Sequence, residues 1–170
     1  SGKTLLATQC ALDALFRKEV EKIIITRPTV AKEEIGFLPG DIREKMDPWL
    51  APIYHNFFVL YNKTKIEKHL ADGDIEIVPF SFIRGRTFLN SFIIVDEAQN
   101  VTHNQMETVV GRLGKHSKMV ICGDMAQIDL KDKRETGFSF LNRIEEQVEG
   151  FTTINLEHNH RHPIVEPVLK

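Results

Sequence analysis

Three short apolar runs constrain this chain more than any other feature. Ile23-Ile24-Ile25, Phe92-Ile93-Ile94-Val95 and Met119-Val120-Ile121-Cys122 are brief, rich in β-branched residues and bounded by polar residues or glycine. Runs of this kind read as strands buried on both faces. Amphipathic segments separate them. Leu5, Leu12, Leu15 and Phe16 recur near helical spacing, as do Leu50, Ile53, Phe57 and Leu60, and then Met106, Val109, Val110 and Leu113. Strands alternating with such helices predict an α/β fold, a mostly parallel sheet with helices on both faces. Ligands on these sheets bind beyond the carboxyl ends of the strands, so functional residues are sought there.

In detail, the pattern predicts strands at 22–26, 75–79, 92–95, 118–122 and 152–156. One helix is expected from Asp41 to about Met46 and a second opening at Pro48, since proline favours the first helical turn. A third is expected over 65–71, a fourth after the capping box Thr102-x-x-Gln105, and a fifth over 138–148.

Composition narrows the class. A chain of 170 residues suits a single domain. The formal charge of -2 argues against a strongly basic nucleic-acid footprint and leaves a local patch open. Two distant cysteines, Cys10 and Cys122, argue against a disulfide framework or a Cys-based zinc site and fit a reducing cytoplasm. The apolar stretches are too short to span a membrane.

Three segments carry chemistry. Ser1-Gly2-Lys3-Thr4 matches the end of the phosphate-loop pattern G-x-x-x-x-G-K-[ST] and leads into a helical segment, as that loop requires. The first glycine and the preceding strand do not appear, so residues 1–170 are read as one domain truncated inside the loop. Backbone N–H groups at the helix start would bind phosphate oxygens. Lys3 would neutralise the β- and γ-phosphates, and the Thr4 hydroxyl would hold Mg²⁺.

The second segment is Asp96-Glu97, directly after a buried strand. Asp96 would bind the metal, and Glu97 would orient or deprotonate an attacking water. Taken alone, the pair also admits a lesser reading as two solvated acids in a loop. The third segment is Gly123-Asp124-Met125-Ala126-Gln127, where a glycine turn delivers a carboxylate and an amide. Gln127 would reach the γ-phosphate or the attacking water. Three such segments at strand ends converge on one chemistry. Arg84 and Arg86 flank Gly85 and leave three readings open: an arginine finger, a clamp on a nucleic-acid backbone, or a solvated loop.

With these segments in place, the chain resembles the PhoH-like family of P-loop ATPases, relatives of superfamily 1 helicase motor domains. The matching residues are Gly2-Lys3-Thr4, Thr26-Arg27-Pro28, Gly36-Phe37-Leu38-Pro39-Gly40-Asp41, Arg84-Gly85-Arg86-Thr87, Asp96-Glu97-Ala98-Gln99-Asn100, Gly123 to Asp129, and Arg161-His162-Pro163. The resemblance implies a RecA-like P-loop NTPase fold that binds ATP and hydrolyses it with Mg²⁺, coupled to remodelling or unwinding of RNA or other single-stranded nucleic acid. It implies nucleotide and metal contacts from Ser1, Gly2, Lys3, Thr4, Asp96 and Asp124. Glu97, Gln127 and Arg161 act on the γ-phosphate or the water, and Arg27 and Arg84 are candidates for nucleic-acid contact. It also implies a cytoplasmic homo-oligomer with ATP near the subunit boundary. The alternative is a non-catalytic nucleotide-binding or oligomerisation module.

Overall fold

Strand β1 (Lys22–Thr26) occupies an inner position of a four-stranded, all-parallel sheet. Its neighbours are β2 (Ile75–Ile77) on one side and β3 (Ser91–Val95) on the other, and β4 (Lys118–Ile121) lies beyond β3, giving the order β2-β1-β3-β4. The computed structural model describes residues 2–28, 42–128, 132, 134, 136–158 and 160–168, and only the backbone over 42–49 and at 166.

Side chains alternate along a strand, so an all-apolar strand must bury both faces. Ile23 and Ile25 of β1, with Phe92 and Ile94 of β3, enter one core. They pack there with Ala7, Ala11 and Leu12 of α1 (Lys3–Phe16), Leu50, Ile53 and Phe57 of α2 (Ile42–Leu60), and Ile66 of α3 (Lys63–Asp72). Ile24, Ile93 and Val95 enter the other core, with Met106 and Val109 of α4 (His103–Val110) and Leu141 of α5 (Phe138–Glu145). Each fully buried isoleucine or phenylalanine contributes about 1.5–3 kcal/mol of transfer free energy. The two-faced α/β arrangement expected from the sequence is therefore the one observed.

Local chemistry sets the helix ends. The Thr102 hydroxyl accepts from the Gln105 N–H, and the Gln105 side chain accepts from the Thr102 N–H, which completes the capping box. Gly73 ends α3 in the left-handed region at φ 81°, where its missing Cβ avoids strain.

Two expectations are corrected. Residues 42–60 form one helix that runs through Pro48, instead of two. A proline inside a helix costs about 3 kcal/mol through a lost i→i−4 bond and a ring clash, and burial of Leu50, Ile53 and Phe57 in the turns beyond it offsets that cost. Residues 152–156 form no strand. Ile154 is 77% exposed, and this segment has no ladder partner among the described residues. Strand β2 also stops two residues early, before Pro79.

Candidate functional site

The strand register brings the functional segments together. Thr26, Val95 and Ile121 are aligned across β1, β3 and β4. Backbone bonds continue this alignment just past the strands: Asp96 N–H donates to Thr26 C=O at 2.9 Å, and Cys122 N–H to Val95 C=O at 2.8 Å. Arg27, Asp96 and Cys122 thus come directly after three adjacent strand ends. Helix α1, packed over the same face, sets its N-terminus above them.

A cavity of about 220 Å³ opens at this point. Gly2, Lys3 and Thr4 line it from the start of α1, Asp96, Glu97 and Gln99 from the end of β3, and Cys122, Gly123, Asp124 and Gln127 from the end of β4. Asn56 of α2 and Arg161 complete the polar lining. The volume is below the roughly 300–1,000 Å³ of pockets that enclose whole small molecules, which matches a charged end group better than an entire nucleotide.

The N-terminus of α1 is open. Gly2 is its N-cap at φ 82°, no side chain among the described residues caps it, and no acidic residue occupies its first turn. Its first N–H groups therefore lack intrahelical acceptors and, with the helix dipole, favour an anion. A Cβ at Gly2 would meet nothing within 4 Å, so this approach is unobstructed.

Behind that opening, Thr4 Oγ1 donates to Asp96 Oδ1 at 2.5 Å. Asp96 is 5% exposed. A hydroxyl and a buried carboxylate in contact, beside an anion-binding helix end, form a donor set that suits Mg²⁺ shared with phosphate oxygens. The residues present fit such a group.

Glu97 comes next, in the left-handed region at φ 51°, ψ 41°, an uncommon conformation for a non-glycine residue and a form of strain that concentrates at functional sites. Both of its oxygens have partners. Oε2 accepts from Gln99 Nε2 at 2.6 Å, and Oε1 lies 3.6 Å from Arg27. Arg27 also faces Asp96 Oδ2 at 3.8 Å. In the β4 turn, Asp124 caps the short helical turn Met125–Gln127 by accepting from Ala126 N–H at 3.0 Å. Gly123 is needed for space: a Cβ there would overlap the Phe138 ring and lie 3.1 Å from the Gln99 nitrogen. Burial, then the negative charge of Asp96, pushes the Cys122 thiol up to about 12.

Most of the residues expected from sequence meet here: Gly2, Lys3, Thr4, Asp96, Glu97, Asp124, Gln127 and Arg161 all line one cavity. Ser1, the 36–41 segment and Asp129 lie outside the described residues. Arg86 is placed elsewhere. It makes a two-point ion pair with Glu76 of β2, at 2.7 and 3.1 Å, and lies over the Phe88 ring. Arg84 is exposed on the neighbouring turn, and neither arginine lines the cavity. Arg27, expected at a nucleic-acid contact, has its guanidinium against the acidic pair.

Sequence reasoning assigned no role to Gln99 or Asn56. Gln99 is 2% exposed and bonded on three sides. A glutamine is exposed by default, and the available signal was its place two residues after Glu97.

An all-parallel α/β sheet, with a helix N-terminus set against paired acids that follow β3, is the arrangement of a P-loop NTPase fold. The sequence profile of the PhoH family, described as PhoH-like protein, matches residues 1–170, and the chain belongs to that family. It is 42% identical over 173 residues to a PhoH-like protein of Synechocystis, covering 100% of this chain and 53% of that protein. It is 40% identical over 173 residues to a PhoH-like protein of Bacillus subtilis, covering 100% and 54%. The protein PhoH of Escherichia coli K12 is 42% identical over 149 residues, covering 85% and 42%. The chain thus spans about half the length of the curated relatives it matches. Among the described residues, no helix is long and apolar enough to cross a membrane.

Proposed function

We propose that this chain binds ATP and hydrolyses it with Mg²⁺, and that the cycle acts on RNA or another single-stranded nucleic acid. The observation that supports this most is the Thr4–Asp96 contact at the open N-terminus of α1, with Glu97 beside it.

In this reading the α1 N–H groups and Lys3 hold the terminal phosphates. Thr4 and Asp96 would hold Mg²⁺, which would offset charge on the phosphate oxygens. Glu97 orients the attacking water and accepts its proton, while Gln127 and Arg161, which line the same cavity, contact the terminal phosphate. Nucleic-acid coupling and self-association rest on the family's kinship with helicase motors. Such motors set ATP between two domains of this kind, and in this reading a second copy of this chain supplies the other side of the site.

The test is the Mg-ATP hydrolysis rate of the full chain, with and without single-stranded RNA, beside Lys3→Ala and Glu97→Gln. Both variants should lose on the order of 100-fold or more in rate, and RNA should accelerate the wild type. Unchanged rates in the variants would overturn the reading. Nucleotide binding without hydrolysis would favour a binding module.

A further inference from the structure

Gln99 joins two parts of the cavity, the end of β3 and the turn after β4. Its Nε2 donates to Glu97 Oε2 at 2.6 Å, and its Oε1 accepts from Asp124 N–H at 3.2 Å. Its own C=O accepts from the Thr136 hydroxyl at 3.0 Å, which fixes the backbone beneath it. A carboxamide suits this place because it is neutral and offers a donor and an acceptor side by side. A carboxylate would accept from Asp124 N–H but repel Glu97, and an apolar side chain would serve neither partner.

We propose that Gln99 is a positioning residue that ties the Glu97 carboxylate to the Asp124–Gln127 turn. Asp124 C=O accepts from Gln127 N–H at 3.0 Å, so the residue facing the terminal phosphate belongs to the same short turn. A shift of Gln127 on phosphate contact pulls on Asp124 N–H, then on the Gln99 amide, then on Glu97. Three hydrogen bonds link Gln127 to Glu97 along this relay. The Gln99–Glu97 bond is short and charge-assisted, which makes it the strongest of the three.

Arg27 is the counterweight. At 3.6 Å from Glu97 it attracts the carboxylate without a close hydrogen bond, unlike the 2.7 Å bond between Arg86 and Glu76. Gln99 therefore sets where Glu97 points, and Arg27 supplies charge from the far side.

This inference rests on the proposed role of Glu97. Its test compares wild type, Glu97→Gln, Gln99→Glu and Gln99→Met in the full chain, measuring Mg-ATP affinity, kcat, KM and melting temperature. The Gln99 variants should lose about 10- to 100-fold in kcat, as expected when a reacting group is misplaced by about 1 Å. Their Mg-ATP affinity should stay within about threefold of wild type, because no phosphate contact is removed. In Gln99→Glu the deficit should shrink as pH falls, since protonation of the introduced acid restores a donor to Glu97. A purely structural glutamine would not produce that profile. If Glu97→Gln slows hydrolysis while both Gln99 variants only lower the melting temperature, the relay is overturned and the proposed function stands. If Glu97→Gln has no effect, the reading of Glu97 falls and the relay falls with it.

Discussion

Thr4 Oγ1 and Asp96 Oδ1, 92 residues apart, meet in a 2.5 Å hydrogen bond. Thr4 is the second residue of α1 and Asp96 comes directly after β3, so the bond fixes the helix start on the sheet. Asp96 is buried, and Thr4 is the short-range donor that satisfies its carboxylate.

Removing that donor should cost twice. Thr4→Val leaves the buried carboxylate short of a hydrogen bond, a loss of about 1–3 kcal/mol seen as a lower melting temperature. It also removes a cation ligand, so Mg²⁺-dependent nucleotide affinity should fall about 10- to 100-fold. Thr4→Ser should retain most of both. Equal behaviour of the valine and serine variants in calorimetry would contradict this.

Gly123→Ala should destabilise by about 1–3 kcal/mol, the usual range for forced overpacking. The cause is the Phe138 ring, which lies where the new methyl group would sit. Combining it with Phe138→Leu should cost less than the sum of the single changes, because the two share one space. Additive losses in denaturant titrations would show that the ring is not the obstacle.

The Cys122 thiol makes stability pH-dependent on the alkaline side. Its folded value is about 12 against an ordinary 9.0. Between these values the unfolded chain loses a proton that the folded chain keeps, so stability falls as pH rises. The slope from this group is about 1.4 kcal/mol per pH unit, and below pH 9 it contributes none. Cys122→Ala should flatten the decline in melting temperature above pH 9. An unchanged alkaline slope would rule the thiol out as its source.

Glu76 gives the opposite sign. Its hydrogen bond from Arg86 holds the carboxyl below the ordinary carboxylate value. Its stabilisation is present above the ordinary value of 4.5 and is lost as pH falls through the lowered folded value. The pair is partly exposed, so Arg86→Met should cost about 1 kcal/mol at neutral pH. The gap between wild type and variant should close in strong acid. A gap that persists there would assign the cost to lost packing on Phe88.

Features set by near neighbours were legible in the sequence. The β-branched runs of β1 and β3 announce burial on both faces, and the Thr102–Gln105 box closes within a single helical turn. Lys3, Thr4, Asp96, Glu97 and Gln127 were legible because motifs name residue types at short spacing. Contacts that depend on distant partners were not. Residues 152–156 have strand-like composition, but a strand exists only with a ladder beside it. The place of Gln99 depends on Asp124 and Thr136, 25 and 37 residues away. Arg27 carries no local mark of turning toward Asp96 and Glu97, far along the chain.

The order β2-β1-β3-β4 has one more consequence. Strands β1 and β3 are each paired on both sides, whereas β4 pairs with β3 alone among the described residues and is only half-buried. The cavity therefore straddles a gradient of local stability. The wall that holds Thr4 and Asp96 rests on backbone whose amides should exchange with solvent only on global opening. The wall that carries Gln127 hangs from β4, which among the described residues is paired on one side and half-buried. Amide exchange should map that divide, slow in β1 and β3 and faster in β4, with one half of the site behaving as an anvil and the other as a spring.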